Sequence, residues 1–173
     1  MNGVLVLWTG KRGSAAWEEL VGEYRLRVGR HMPAEERRLR PVEGRSGDRS
    51  RVLAQEAMRV ALHVEPADAV VALDERGIEL GSEELARWLG ERRLRVVAIV
   101  GSDLGLDPDL LRRANLRLAL SRLTLPHQLA RLILWEQLYR ASDLLAGGSY
   151  HRGFAEAGKS RGRRPVVPPR PGP

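Results

Sequence analysis

Residues 96–105 read VVAIVGSDLG, a run of five apolar residues that leads directly into a loop containing two glycines. An unbroken apolar run of this length is typical of a strand that is buried on both faces of a parallel sheet. A glycine-bearing loop at the carboxyl end of such a strand is where α/β sheets bind their ligands. The stretch therefore predicts an α/β fold with a ligand site directly after residue 100.

Strand-like and helix-like segments alternate along the rest of the chain. Four further strands are predicted, at Gly3–Trp8, Arg37–Val42, Ala69–Leu73 and Arg117–Leu120. Helices are predicted at 14–28, 51–63, from Ser82 as N-cap, at 108–114 behind an Asp107 cap, and from Thr124–Pro126 to Gly147. Such alternation predicts one α/β domain with a largely parallel sheet and helices on its faces.

The last helix is predicted to be long and to bury one face. Its expected inward residues are Leu129, Leu132, Ile133, Leu138, Ala141, Leu144 and Leu145. The strand from Ala69 is expected to stop at the charged residue Asp74.

The composition excludes several classes of protein. Apolar residues make up 43% of the 173 residues, which is enough for one core. The absence of cysteine excludes disulfides and thiolate metal sites, and the four histidines are too scattered to predict a metal. No segment approaches the roughly 20 apolar residues that cross a bilayer, so a cytoplasmic location is the default expectation.

The positive charge of the chain is concentrated near its end. Residues 153–173 hold five basic residues and one acidic residue, so they supply +4 of the formal net charge of +7. They are also rich in proline and glycine and have little apolar surface to bury, which predicts a disordered or extended tail. The tail suits a solubilising appendage and an arm that tracks RNA phosphates equally well.

The loop at 101–105 does not identify a reaction by itself. It is too short for a G-x-G-x-x-G dinucleotide fingerprint, and it lacks the lysine and hydroxyl of a P-loop. A nicotinamide or ATP enzyme is therefore the least favoured class.

Three segments of the C-terminal half identify a family resemblance. VVAIVGSDLGL, LALSRLTLPHQLARLILWEQLYRA and SYHRG follow one another in this order. Together they resemble the pseudouridine N3-methyltransferase family of the SPOUT superfamily, with TLPHQ and YHR as the specific elements. The resemblance covers residues 1–152 and implies one methyltransferase domain there, followed by the tail at 153–173.

The resemblance implies a fold and a cofactor that the residue pattern alone does not reveal. The family fold is a mainly parallel α/β sheet whose C-terminal part forms a trefoil knot. Its cofactor is S-adenosylmethionine, held by loops at three strand ends. Matched onto this chain, the cofactor contacts are Leu73, Gly101, Leu120, Ser121, Arg122, Leu123, Thr124 and Leu125.

The resemblance also implies the substrate, the partners and the catalytic residues. The expected substrate is N3 of a pseudouridine in 23S ribosomal RNA, within the ribosome or the large subunit. Tyr150, His151 and Arg152 match the terminal motif and are expected to serve the RNA base, although composition alone favours an exposed chain end. Similar enzymes are homodimers in which one subunit's loops meet the other's terminal residues, which predicts an apolar interface on the long helix.

Two departures from the family pattern keep alternatives open. Ser102 stands where the family often has a second glycine, and the tail continues beyond the usual end at about Arg152. Methylation of another RNA nucleotide, in transfer RNA for example, is one alternative. A non-catalytic ribosome-binding protein that keeps the fold is the other. For His127, a structural role at the helix entrance is favoured over support of the cofactor site.

Overall fold

The computed structural model of this chain describes residues 2–44 and 48–150. Its strands are β1 (Val4–Thr9), β2 (Ala34–Leu39), β3 (Ala69–Glu79), β4 (Val96–Val100) and β5 (Leu116–Ala119). Its helices are α1 (Ala15–Gly29), α2 (Arg49–Ala61), α3 (Ser82–Gly90), α4 (Pro108–Arg113) and α5 (His127–Leu145).

The five strands form one parallel sheet in the order β2-β1-β4-β3-β5. Alternate residues of β1 enter two separate cores, with Val6 and Trp8 on one face and Leu7 on the other. Helices α1, α3 and α5 cover the first face, while α2 and α4 cover the second. This confirms the predicted α/β fold with helices on both faces.

The carboxyl ends of β3, β4 and β5 meet at one edge of the sheet because all the strands are parallel. Strand β4 is buried along its whole length, as its sequence predicts. The adjacency of β3, β4 and β5 is compatible with the expected trefoil knot. The threading of the chain itself stays a prediction.

Two strands differ from their predicted bounds by more than one residue. Strand β2 begins at Ala34, opposite Val4 of β1. The pattern of apolar residues does not predict these bounds, because the sequence AEERRL is mostly charged. Strand β3 continues past Asp74 to Glu79, with a register shift between Leu73 and Ile78. Asp74 does not end the strand, because Nε of Arg117 in the neighbouring β5 donates to its carboxylate at 3.1 Å.

One predicted helix cap is confirmed and one is wrong. The Asp107 carboxylate accepts hydrogen bonds from the main-chain N–H groups of Asp109 and Leu110, at 2.8 and 3.3 Å. Ser82 is instead the first residue of α3, and Gly81 precedes it as the cap. The Ser82 hydroxyl donates to Oε1 of Gln137 at 2.7 Å, so it fastens α3 to α5.

The buried face of α5 also differs from the prediction. Leu138 and Ala141 are buried as predicted, and Leu132 and Leu144 pack against the core although they are only half-buried. Leu145 is exposed, and Leu129 and Ile133 are half-buried without packing against the core of the described residues. Their expected places are taken by Leu134, Trp135 and Arg131, whose side chain is 1% exposed. In the described ranges no helix is long and apolar enough to cross a membrane.

Candidate active site

A cavity of about 1140 Å³ opens at the carboxyl edge of β3, β4 and β5. Seven of the eight residues predicted to contact a cofactor line it, namely Leu73, Gly101, Leu120, Ser121, Leu123, Thr124 and Leu125. The eighth, Arg122, does not line the cavity. Its side chain is 91% exposed and its Nε lies 3.4 Å from Oε1 of Glu79. The three predicted loops therefore come together in space.

The loop after β4 turns so tightly that residue 101 has no room for a side chain. A Cβ at Gly101 would lie 2.5 Å from the carbonyl oxygen of Gly105. The N–H of Gly105 donates to the carbonyl oxygen of Ser102 at 2.8 Å, and Gly105 has a φ of +86°, which favours glycine. Glycine at 101 is thus required by the loop's own shape.

Two residues of α2 hold this loop from the side. The Ser102 hydroxyl donates to Oε2 of the buried Glu56 at 2.9 Å, and Oε1 of Glu56 accepts from the Val42 N–H at 3.0 Å. Nη2 of Arg49 donates to the Leu104 carbonyl oxygen at 3.0 Å. The serine that departs from the family pattern therefore has a defined partner. Sequence periodicity gave no signal for Glu56, which lies 46 positions away from Ser102.

His127 connects this loop to the start of α5. Its Nδ1 lies 2.8 Å from Oδ1 of Asp103, and its ring stacks on Trp8 with ring centroids 6.3 Å apart. A Cβ at Gly10 would lie 2.9 Å from Nε2 of His127, so this glycine makes room for the ring. His127 also lines the cavity. Its contact at the helix entrance therefore also positions part of the site.

The loop between β5 and α5 is organised by two hydroxyl groups. The Ser121 hydroxyl accepts from the Leu123 N–H at 2.9 Å, and the Thr124 hydroxyl donates to Oε2 of Glu75 at 3.4 Å. Glu75 belongs to β3, so this contact ties two of the three loops together. Residues 120–126 are neither helix nor strand, which leaves main-chain groups available to a ligand.

Comparison with known proteins identifies the family. Residues 3–151 match the model described as a predicted SPOUT methyltransferase. The chain belongs to the SPOUT methyltransferase family.

Relatives that match over nearly their whole length are named as methyltransferases, and one solved structure shares the fold. The chain is 40% identical over 159 residues to the ribosomal RNA large subunit methyltransferase H of Anaeromyxobacter dehalogenans, and 35% identical to that of Bifidobacterium adolescentis. Each match covers 86% of this chain and 99% of the relative. A probable methylase family protein from Haemophilus influenzae shares the fold, with a TM-score of 0.52 at 12% identity, covering 87% of this chain and 70% of that one.

The cavity of this SPOUT methyltransferase fits S-adenosylmethionine, the methyl donor of the family. Leucines from three loops supply apolar walls for an adenosine, and the bare backbone at Gly101 allows close approach. The carboxylates of Glu75 and Asp103 lie on the lining and suit a ligand with a positive sulfur and an ammonium group. Within residues 2–44 and 48–150, no group of three or more potential metal ligands lies together.

Tyr150 follows α5 and packs against the half of this helix that is remote from the cavity. Its N–H donates to Oδ2 of Asp143 at 2.9 Å, and its hydroxyl donates to Oε1 of Glu136 at 3.2 Å. Its ring centroid is 4.7 Å from that of Tyr139. Burial, followed by a hydrogen bond with Tyr24 and the charge of Glu136, raises the pKa of Tyr150 to about 12. His151, Arg152 and the tail at 153–173 lie outside the described residues.

Proposed function

We propose that this chain transfers a methyl group from S-adenosylmethionine to N3 of a pseudouridine in 23S ribosomal RNA, in the ribosome or large subunit, in the cytoplasm. The observation that carries the proposal is the single cavity in which the loops after β3, β4 and β5 meet. The names of the relatives, which match nearly their whole length, support large-subunit ribosomal RNA as the substrate.

The cavity residues act chiefly by alignment. The donor, when bound, supplies a methyl group that is already activated by a positively charged sulfur. The loop main chains at 101–105 and 120–125 hold the donor, and the leucine walls exclude water from it. With about 1140 Å³, the cavity is slightly larger than the usual small-molecule site of about 300 to 1,000 Å³, which leaves space for a nucleobase beside the donor.

The proton on N3 of the base needs an acceptor before the nitrogen can attack. With a pKa of about 12, the Tyr150 hydroxyl keeps its proton at neutral pH, so it acts as a donor or a stacking surface. His151 is then the residue suited to accept the proton, since imidazole titrates near neutrality. Arg152 is suited to hold a ring carbonyl or a phosphate oxygen.

The position of Tyr150 supports a homodimer with composite sites. Tyr150 contacts Glu136, Tyr139 and Asp143, whereas His127 on the same helix lines the cavity. At 1.5 Å per residue, these contacts lie roughly 14 to 24 Å along α5 from His127. His151 and Arg152 extend the chain by at most about 7 Å. This separation supports a site in which a second copy supplies the terminal residues.

The outer face of α5 supplies a surface for that second copy. Leu129 and Ile133 project opposite the buried Leu138 and are half-buried in the single chain. A two-fold axis at this face would pair these side chains with their own copies, as isologous dimers do.

A methyl-incorporation assay tests the proposal. Ribosomes whose pseudouridine lacks the methyl group and free transfer RNA are each incubated with the full-length protein and labelled S-adenosylmethionine. We expect incorporation into 23S ribosomal RNA alone. Incorporation into transfer RNA would make the chain a methyltransferase for another nucleotide. Binding to ribosomes without incorporation would make it a non-catalytic ribosome-binding protein.

A further inference from the structure

A second, smaller concavity lies beside the edge strand of the sheet. It is an open groove of about 470 Å³ between residues 38–43 and residues 59–63, and we name it the β2–α2 groove. Its wall includes Leu39, Pro41 and Leu62, and Leu62 is 81% exposed. It shares no lining residue with the cavity at the ends of β3, β4 and β5, which we call the cofactor cavity.

The rim of the β2–α2 groove is positively charged. Arg40 and Arg59 are both exposed, and a guanidinium N–H of Arg59 donates to the Arg40 carbonyl oxygen, which holds the two residues together. Within the described residues neither guanidinium forms an ion pair with a carboxylate. Glu43 is the one acidic residue among those that line the groove in the described structure. These cations are available to an external anion.

Besides the arginines that line the groove, Arg37 reinforces the positive field beside it. Nη1 of Arg37 lies 3.0 Å from Nδ1 of His63, a lining residue. Burial, and then the charge of Arg37, lowers the pKa of His63 below its ordinary value of 6.5. The imidazole is therefore mostly neutral at pH 7 and accepts a hydrogen bond from Arg37, so the positive charge here is carried by guanidinium groups.

Guanidinium groups beside an aliphatic wall suit a nucleic-acid strand. The fork of an arginine binds phosphate oxygens in a bidentate manner, and its plane stacks on bases. The exposed side chain of Leu62 offers an apolar contact for an unstacked base. An acidic peptide would pair with the arginines, but its carboxylates would make no use of the apolar wall formed by Leu39, Pro41 and Leu62.

One helix connects this groove to the cofactor cavity. Arg49 of α2 lines the cavity and Arg59 lines the groove, a separation of about 15 Å along the helix. Between them, Glu56 accepts from the Val42 N–H on the groove side and from the Ser102 hydroxyl on the cavity side, at 3.0 and 2.9 Å. An RNA strand with its target base in the cavity could thus reach the groove within a few nucleotides.

We infer that the β2–α2 groove binds the phosphate backbone of the RNA strand next to the target nucleotide. The inference rests on the proposed function for its choice of RNA. It assigns substrate binding to Arg40 and Arg59, residues that lie outside the cofactor cavity and outside the terminal motif.

The test measures binding of the full-length protein to purified large ribosomal subunits over a range of salt concentrations. Replacing both arginines, as Arg40→Glu with Arg59→Glu, should raise the Kd about tenfold or more and reduce the slope of log K against log salt by about one to two. Calorimetry with S-adenosylmethionine should give the wild-type affinity, because neither residue lines the cavity.

Two further variants make the result specific. Arg87→Glu is the matched control, since Arg87 is an exposed arginine on α3, which covers the opposite face of the sheet from α2. Arg40→Lys with Arg59→Lys keeps the charge and should retain most of the salt slope. Melting temperatures establish that every variant is folded.

Three results would overturn the inference. They are a wild-type Kd and slope in the double Glu variant, an equal loss in the Arg87→Glu control, and no binding of the wild-type protein to large subunits. Binding that depends on both arginines but leads to no methylation would support the inference about the groove and contradict the proposed function instead.

Discussion

Nδ1 of His127 lies 2.8 Å from Oδ1 of Asp103, and this contact joins the first turn of α5 to the loop after β4. Both residues line the cavity, and the His127 ring is held between this carboxylate and Trp8. The loop after β4 and the start of α5, which both line the site, are therefore joined by one side chain.

Removing this contact should weaken cofactor binding moderately. The Asp103 side chain is 87% exposed, and such exposed pairs contribute up to about 1 kcal/mol. His127→Ala should therefore raise the Kd for S-adenosylmethionine by up to about fivefold in calorimetry. His127→Asn retains a short N–H donor and is the matched control. A wild-type Kd for the alanine variant would show that the loops keep their positions without the contact.

The tight turn at Gly101 should tolerate no side chain. Gly101→Val places a Cβ 2.5 Å from the Gly105 carbonyl oxygen, so the loop must open and the cofactor should no longer bind. Ser102→Gly is the control in the same loop. It loses the hydrogen bond to Glu56, at a cost of about 1 kcal/mol in stability, and should still bind the cofactor. Calorimetry and thermal unfolding separate these effects, and cofactor binding by the valine variant would refute the assigned site.

The buried Arg131 should dominate stability on the α5 side of the sheet. Its guanidinium is 1% exposed and donates to Glu18 at 3.0 Å and to Glu36 at 3.1 Å, above the ring of Trp8. Arg131→Met leaves two carboxylates without their cation and should lower the free energy of unfolding by about 3 to 5 kcal/mol. Urea denaturation at neutral pH measures this. A loss below about 1 kcal/mol would mean that the network is not formed.

The same network predicts how stability depends on acid. The hydrogen bonds from Arg131 lower the pKa of Glu18 below its ordinary value of 4.5. The Glu18 carboxylate therefore stabilises the fold above pH 4.5, and this contribution is lost as the pH falls through the lowered folded value. Glu18→Gln should make the unfolding free energy less dependent on pH below about 4.5. An unchanged acid dependence would contradict the assignment.

Subunit mixing tests the composite site. A Gly101→Val chain lacks a cofactor loop and a His151→Ala chain lacks the proposed proton acceptor, so each homodimer should be inactive. When the two variants are mixed in equal amounts and re-associated, half of the dimers contain both chains. Each mixed dimer has one intact site out of two, which predicts about a quarter of wild-type methylation. Activity no higher than that of the separate variants would show that each chain completes its own site.

The sequence predicted those features that depend on local runs of residues. The buried strand at 96–100, the Asp107 cap and the glycine loop are all found where the pattern indicates them. The three loops that resemble the family's cofactor contacts line one cavity, with Arg122 alone directed outward. Such features are readable because a strand, a cap or a tight turn needs particular residues in a short stretch.

The features that sequence analysis missed depend on partners far along the chain. A count of apolar positions cannot place Arg131 inside, because its burial depends on Glu18 and Glu36, 113 and 95 positions away. The same holds for β2, whose charged residues include Glu36, and for β3, which passes Asp74 because Arg117 neutralises it. The hydrogen bond between Ser102 and Glu56 likewise cannot be predicted from a local run of residues, because the two lie 46 positions apart.

The most direct test of the central claim is mass spectrometry of the 23S ribosomal RNA from a strain that lacks this protein. The account predicts the loss of one methyl group from N3 of one pseudouridine, its return with the wild-type gene, and no return with a Gly101→Val variant that is expressed and folded. An unchanged methylation pattern in the deletion strain, or a methyl group lost from another nucleotide, would contradict it.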